Sequence, residues 1–197
     1  MTKGRLEAFS DGVIAIIITI MVLEFRPPDG ARLENLQPLI PTFLSYLLSF
    51  ALLGTWWNNH HHLLQAAKVI DGRVLWANLH LLFWLSLFPF GTAWVGRTTF
   101  APIPVATYTA LLLLAGVAYY VLVRALIGAR GQPKALAEAI GRDVKGWAST
   151  ILFLIAIPVA LAAPLVSMMI NAGVVGLWLV PDRRMEEVIR SDHPEAQ

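Results

Sequence analysis

The first apolar stretch of the chain sets the main constraint on the fold. Residues 5–28 read RLEAFSDGVIAIIITIMVLEFRPP. The uncharged part, residues 12–23, has 12 residues, which as a helix covers only about 18 Å at ~1.5 Å per residue. A hydrocarbon core of about 30 Å needs roughly 20 residues. Because the two prolines prevent extension at the C-terminal end, a full span has to reach back through Asp11 to Arg5.

The composition of the whole chain indicates a membrane protein. Of its 197 residues, 57% are hydrophobic and only 14% are charged, whereas a soluble domain carries about 25% charged residues. This deficit excludes a nucleic-acid-binding protein, a disordered chain and an ordinary soluble enzyme. The chain has no cysteine, which excludes disulfides and thiol chemistry. Its N-terminus lacks the small-residue cleavage site of a signal peptide, so we expect the first apolar run to be retained as a span.

Five further spans follow from the remaining uncharged stretches. Four such stretches after residue 34 are long enough to cross a membrane. The last has 36 residues, too many for one span, and we split it before Pro164. The prediction is therefore an all-α, six-helix transmembrane bundle that forms a single domain over residues 1–197. Its helices lie near residues 5–25, 39–64, 74–96, 104–123, 146–162 and 164–180.

The positions of the basic residues favour six spans and give their orientation. With the N-terminus in the cytoplasm, 12 of the 15 Lys and Arg residues fall in cytoplasmic segments, and only Arg26, Arg32 and Arg97 lie outside. With five spans, nine of these basic residues would lie in cytoplasmic segments and six would lie outside. Cytoplasmic loops carry the excess of Lys and Arg in membrane proteins. We therefore expect both termini in the cytoplasm. The connection between the fourth and fifth spans contains a short helical pattern at residues 135–140, and a further short helix is expected after residue 181.

Polar side chains inside the predicted membrane are concentrated in the first three spans. A charged residue at the centre of a span costs roughly 2.5–3.5 kcal/mol on insertion scales, so such residues are usually partnered. The start of the first span, the end of the second and the start of the third share one side, where their polar groups can meet. For Arg5 and Asp11 we favour a network that holds helices together over direct ion contact or a proton relay, since buried charges need partners.

The triplet His60, His61 and His62 suggests a metal site, but its spacing argues against one. Consecutive helical residues point about 100° apart, and only residues three or four apart share a face. A zinc-binding H-E-x-x-H helix needs that spacing together with a carboxylate. We therefore expect one histidine to face the bundle in a hydrogen bond and the others to lie at the interface, with no resident metal.

Four motifs resemble those of one channel family. Residues 5–11 have the form R-x-x-x-F-S-D, residues 57–60 the form W-x-x-H, and residues 86–90 the form S-x-x-P-F, with Asn78 between them. This set resembles the bacterial relatives of the endosomal and lysosomal potassium channel, transmembrane protein 175. The motifs cover the first three spans, and the number of spans agrees over the whole chain.

The resemblance implies a passive, potassium-permeable channel without the T-V-G-Y-G filter, which this sequence lacks. It implies a homotetramer in the bacterial inner membrane, in which the first span of each subunit lines a central pore. The implied partners are further copies of the chain, membrane lipid, potassium and other monovalent cations. Neither enzymatic activity nor a cofactor is implied, and potassium is only the permeant ion.

The resemblance also implies roles for individual residues. Counted from Asp11, the pore-facing positions would be Ile16, Thr19 or Ile20, and Leu23, and rings of Ile16, Ile20 and Leu23 would form a hydrophobic constriction. Periodicity alone does not select this face, because the first span beyond Asp11 is apolar all round except for Thr19. A network tying the first three helices together is implied for Arg5, Phe9, Ser10, Asp11, Trp57, His60 and Asn78.

Two other functions stay open from the residues alone. A small secondary transporter or proton-coupled carrier needs ionisable residues near the midplane and paired, broken helices. Here the acidic residues lie near helix ends, and the last three spans do not repeat the first three. A membrane enzyme built on the histidine triplet would need a correctly spaced acid or a second histidine pair, which the sequence does not provide.

Overall fold

The computed structural model describes residues 2–132 and 143–179, and every regular element within them is helical. The short helix predicted at residues 135–140 and the segment after residue 181 lie outside the described residues. Counting α3 and α4 as one interrupted helix, the described residues form six helices, as predicted. The elements are α1 (Lys3–Val22), a 3₁₀ segment (Leu33–Leu39), α2 (Ile40–Ala66), α3 (Gly72–Ser86), α4 (Phe88–Arg97), α5 (Pro102–Ile127), α6 (Val144–Ala162) and α7 (Pro164–Leu179).

Four helical stretches are long and apolar enough to cross a membrane, namely Leu33–Ala66, Gly72–Arg97, Pro102–Ile127 and Val144–Ala162. Helix α7 is shorter, with 16 residues. Helix α1 has 20 residues, about 30 Å at ~1.5 Å per residue, but its first half carries charges. The helix begins before Arg5, and so it reaches back past Asp11.

The third predicted helix, residues 74–96, is interrupted in the structure. Helix α3 ends at Ser86 and α4 begins at Phe88, with Leu87 at φ −86° and ψ −6° between them. Pro89 accounts for the break, because it has no N–H to donate and its ring clashes with the carbonyl one turn earlier. Helix α1 also ends at Val22 rather than at residue 25, because the next three residues form tighter bonds to carbonyls three positions back.

Helix α5 lies at the centre of the bundle and packs against α3, α4, α6 and α7, whereas α1 packs against α2, α3 and α4. Both ends of α1 are held. The Nζ of Lys3 donates to the carbonyl of Gln65 at 2.6 Å, and the guanidinium of Arg97 lies 2.5 Å from the carboxylate of Glu24. The start of α1 therefore lies beside the end of α2, and its other end lies beside the end of α4.

A buried hydroxyl cluster joins α2, α4 and α5. The Oγ of Ser49 lies 2.7 Å from the Oγ1 of Thr92 and 2.8 Å from the hydroxyl of Tyr108. All three side chains are buried. Interhelical bonds of this kind help to hold helices together where lipid supplies no hydrophobic driving force.

A second polar cluster joins α5, α6 and α7. The Nδ2 of Asn171 donates to the Oγ1 of Thr109 at 2.9 Å, and the Oγ of Ser167 donates to the carbonyl of Ala156, also at 2.9 Å. The last three helices are therefore linked by their own hydrogen bonds, and α1 is not part of this cluster.

Gly96 allows α2 and α4 to approach closely. A Cβ atom at residue 96 would lie 2.7 Å from the Cα of Thr42 and 2.7 Å from the Oγ of Ser45. Both distances are shorter than van der Waals contact, and one of the atoms is backbone. Small residues at helix crossings are typical of membrane bundles for this reason.

We predict that Gly96→Ala lowers the midpoint of thermal unfolding in detergent, because the added methyl group must displace α2. Overpacking of this kind costs about 1–3 kcal/mol. Gly116→Ala is the matched control, since no atom lies within 4 Å of a Cβ there and alanine in a helix is favoured over glycine by about 0.5–1 kcal/mol. Equal shifts for the two variants would contradict the close contact assigned to Gly96.

Candidate functional site

A chain of hydrogen bonds joins α1, α3 and α2 inside the bundle. The Nε2 of His60 donates to the Oδ1 of Asn78 (2.7 Å), the Nδ2 of Asn78 donates to the Oγ of Ser10 (2.9 Å), and Ser10 donates to the carbonyl of Leu6 (2.9 Å). An amide oxygen only accepts, so His60 carries its proton on Nε2. Since lipid supplies no replacement partner, each bond constrains the helices that it joins.

A ladder of polar contacts joins α1 to α2 along one edge of the two antiparallel helices. The Nε1 of Trp57 donates to the Oδ1 of Asp11 at 2.9 Å. One turn nearer the start of α1, a carboxylate oxygen of Glu7 lies 3.5 Å from the Nδ1 of His61. A further turn back, Lys3 binds the Gln65 carbonyl at the end of α2. The contacts recur every four residues on both helices, so they fix the rotation of α1 against α2.

The aromatic rings of α2 reinforce this ladder. Trp57 and His61 stack with their ring centroids 5.8 Å apart, and the Nε2 of His61 lies 2.8 Å from the Gln65 amide nitrogen. The rings that hold the two acids of α1 are thus themselves held in place.

Two residues of the predicted network are not joined to it through any residue that the structure describes. Arg5 is exposed, and its guanidinium makes no hydrogen bond or ion pair with the residues that the structure describes. The side chain of Phe9 is 46% exposed. Both project from the side of α1 that faces away from α2 and α3, because the ladder occupies the opposite side.

The predicted pore residues lie on that same uncovered side of α1. Ile16 is 58% exposed, Ile20 44% and Leu23 76%, and Thr19 is exposed as well. The opposite side of the helix is covered by neighbouring helices, where Ser10, Ile14, Ile17 and Met21 are at most 4% exposed. The hydroxyl of Thr19 donates to the carbonyl of Ile16 at 2.9 Å, so its lone pairs remain available outside the helix.

The three adjacent histidines have different environments. His60 is 1% exposed and hydrogen-bonded, whereas His61 and His62 are half-buried. Over residues 2–132 and 143–179, no group of three or more His, Cys, Asp or Glu side chains is arranged to hold a metal ion.

Sequence reasoning missed the terminal rung of the ladder, Lys3 with Gln65, and the pairing of Glu7 with His61. The sequence does contain side chains that recur every four residues on both helices. They can be matched in pairs only when the antiparallel register of α1 and α2 is known. It also missed the two hydroxyl clusters, because serine and threonine in a span bond their own helix as readily as a neighbour.

Comparisons with known proteins bear on the first three helices and on the whole chain. Residues 5–89 match the family model described as the endosomal/lysosomal potassium channel TMEM175. The chain is 47% identical to a potassium channel of Chryseobacterium sp. (strain P1-3), over 98% of this chain and 100% of that protein. It is 36% identical to the human endosomal/lysosomal proton channel TMEM175, over 42% of this chain and 19% of that protein.

A solved structure resembles the fold. The crystal structure of a lysosomal potassium-selective channel TMEM175 homologue from Chamaesiphon minutus matches with a TM-score of 0.72 at 26% sequence identity. The match covers 91% of this chain and 97% of that chain, so it includes the helices of the site as well as the outer ones.

We predict that Asn78→Ala destabilises the protein, because it leaves His60 and Ser10 buried without partners. An unsatisfied buried polar group costs about 1–3 kcal/mol, measurable by denaturant unfolding in mixed micelles. Ser86→Ala is the control, since that hydroxyl is exposed and bonds the Phe83 carbonyl of its own helix. In a double-mutant cycle, Asn78→Ala and Ser10→Ala together should change the free energy of unfolding by less than the sum of the two single changes. If the two changes simply add, the hydrogen bond between Asn78 and Ser10 is not supported.

Proposed function

The chain belongs to the family of the endosomal/lysosomal potassium channel TMEM175, and on that premise we propose that four copies surround a central pore lined by α1. As a member of that family it is a multi-pass membrane protein that passes potassium passively and is not an enzyme. Membership also decides between the functions left open by the residues, in favour of a channel over a secondary transporter.

The observation that carries the proposed pore is the position of Arg5 on α1. On an ideal helix, Arg5, Ile16 and Leu23 lie within about 20° of one line drawn along the helix surface. The other described helices of the chain leave this side of α1 uncovered. Lipid along this face would leave an unpartnered guanidinium against hydrocarbon, which is costly. A water-filled pore solvates Arg5 at its mouth and places the apolar residues deeper.

The apolar residues on this line would form the narrowest part of the pore. Four copies each of Ile16, Ile20 and Leu23 around an axis make hydrophobic rings that can gate by dewetting, opening when the helices spread or rotate. Thr19 supplies the polar contact, because its hydrogen is used within the helix and its lone pairs face the axis. One hydroxyl per subunit gives a weaker preference for potassium over sodium than a filter of backbone carbonyls.

The proposed setting is the bacterial inner membrane, with one transmembrane domain over residues 1–197 and both termini in the cytoplasm. The basic residues support this orientation, since Arg26, Arg32 and Arg97 lie at one end of the bundle, whereas the described residues Lys3, Arg5, Lys68, Arg73 and Arg124 lie at the opposite end. The ladder at the start of α1 then lies on the cytoplasmic side.

We predict that Ile16→Asn raises the resting potassium flux into proteoliposomes and weakens selectivity, because a polar ring keeps the constriction wet. Ile151→Asn makes the same chemical change at a comparably exposed isoleucine on α6, 53% against 58%, and should leave flux unchanged. Unaltered flux through Ile16→Asn, with the protein correctly assembled, would contradict the pore assignment.

A second prediction concerns Asp11. Asp11→Ala should mainly reduce the yield of tetramer on size-exclusion chromatography with light scattering, because α1 loses its anchor to Trp57 and its rotation is no longer fixed. Asp11→Asn keeps an oxygen that accepts the indole N–H and should assemble. Normal assembly of Asp11→Ala together with lost conduction would instead assign Asp11 a contact with the ion.

A further inference from the structure

The exposed surface of the protomer differs in chemistry between its two halves. Among the described residues of α5, α6 and α7, the exposed side chains are apolar, apart from Arg124 and Trp147 near helix ends and Tyr120, seven residues before the end of α5. Aromatic and basic residues at such positions are typical of the membrane interface. This half of the surface is suited to lipid.

The other half exposes polar side chains within membrane-length helices, among them Ser86, whose hydroxyl is bonded to its own helix, and the side chains of Asn58 and His80. Asn58 lies eight residues before the end of α2, and His80 lies eight residues after the start of α3. Each is therefore about 12 Å from the end where α2 and α3 are connected. The amide of Asn58 makes no hydrogen bond with any residue that the structure describes. In hydrocarbon an unpaired amide costs several kcal/mol on water-to-alkane scales, about 4–8.

The bonding of His80 determines what kind of partner it needs. The indole N–H of Trp84 donates to the Nε2 of His80 at 2.9 Å. A nitrogen that accepts carries no proton, so the neutral ring bears its proton on Nδ1. This N–H has no acceptor among residues 2–132 and 143–179, and the amide oxygen of Asn58 is an acceptor of the required kind.

The register of α2 and α3 prevents the two groups from meeting within one protomer. The bond between His60 and Asn78 sets the depth of α2 relative to α3. Asn58 lies two residues before His60, and His80 lies two residues after Asn78, so both stay at a common depth. Two residues correspond to a rotation of about 200°, and each side chain therefore points away from the other helix of its own protomer.

Equal depth is the condition for contact between neighbours in a ring. Rotation about an axis along the membrane normal moves every residue sideways without changing its depth, and a ring is built from one head-to-tail contact repeated around that axis. The outward face of α2 in one protomer can thus meet the outward face of α3 in the next.

We propose that the amide oxygen of Asn58 accepts a hydrogen bond from the Nδ1–H of His80 in the neighbouring copy, and that this contact forms part of the subunit interface. The proposal rests on the homotetramer proposed above. It names α2 and α3 as the joined faces and leaves α5, α6 and α7 toward lipid.

The absence of cysteine from the chain makes disulfide cross-linking a direct test. Two differently tagged full-length chains, one with Asn58→Cys and the other with His80→Cys, are co-expressed and oxidised in native membranes. A covalent product carrying both tags is expected, and a chain with both substitutions should give a ladder up to the tetramer. Leu114→Cys with Leu154→Cys, on the exposed faces of α5 and α6, is the control pair and should give no ladder.

The outcomes separate the contact from the pore. A tetramer by native mass spectrometry without the mixed cross-link overturns the pairing of Asn58 with His80 and leaves the proposed pore intact. A monomer for the unsubstituted chain overturns the tetramer itself.

A second pair of variants covers the case in which the cysteine chains do not fold. Asn58→His with His80→Asn exchanges the two groups and should retain the tetramer yield, whereas each single substitution should lower it roughly threefold per interface. If the exchanged chain loses as much tetramer as the two single substitutions combined, the proposed contact between Asn58 and His80 is wrong.

Discussion

The antiparallel ladder between α1 and α2 is the constraint on which the rest of the site depends. Lys3, Glu7 and Asp11 each meet a group on α2, and the groups recur every turn on both helices. Such contacts leave α1 only one rotation. The buried chain from Ser10 through Asn78 to His60 adds α3 to the same unit. Together they determine which side of α1 is covered and which is left open.

The division of polar groups along α1 follows from this rotation. The acids that would be costly in lipid are turned toward α2, where each has a partner, and Ile16, Ile20 and Leu23 are left on the uncovered side. Helix α7 is bonded to α6 through Ser167 and to α5 through Asn171.

The number of helices could be predicted from the sequence because hydropathy and length are properties of single helices. The shortness of residues 12–23 correctly required α1 to include Asp11 and Arg5. The rotation of α1 could not be predicted from pattern, since its apolar residues surround the helix and only the family resemblance selected a face. The partners of Glu7 and Lys3, and the lack of one for Arg5 among the described residues, depend on the register between helices, which a single sequence does not contain. Pro89 inside the predicted third helix is a sequence signal for the break at Leu87, although the length of the apolar stretch favours a continuous span.

We propose that the side of α1 bearing Thr19 faces the pore. It is tested most directly by adding a water-soluble, thiol-reactive cation to channels reconstituted in a planar bilayer under a potassium gradient. The wild-type chain has no cysteine and should be unaffected. We expect the reagent to reduce the potassium current of Thr19→Cys. The current of Ile17→Cys should not change, because Ile17 is only 4% exposed. If the reagent reduces the current of Ile17→Cys and does not change that of Thr19→Cys, a different side of α1 faces the pore.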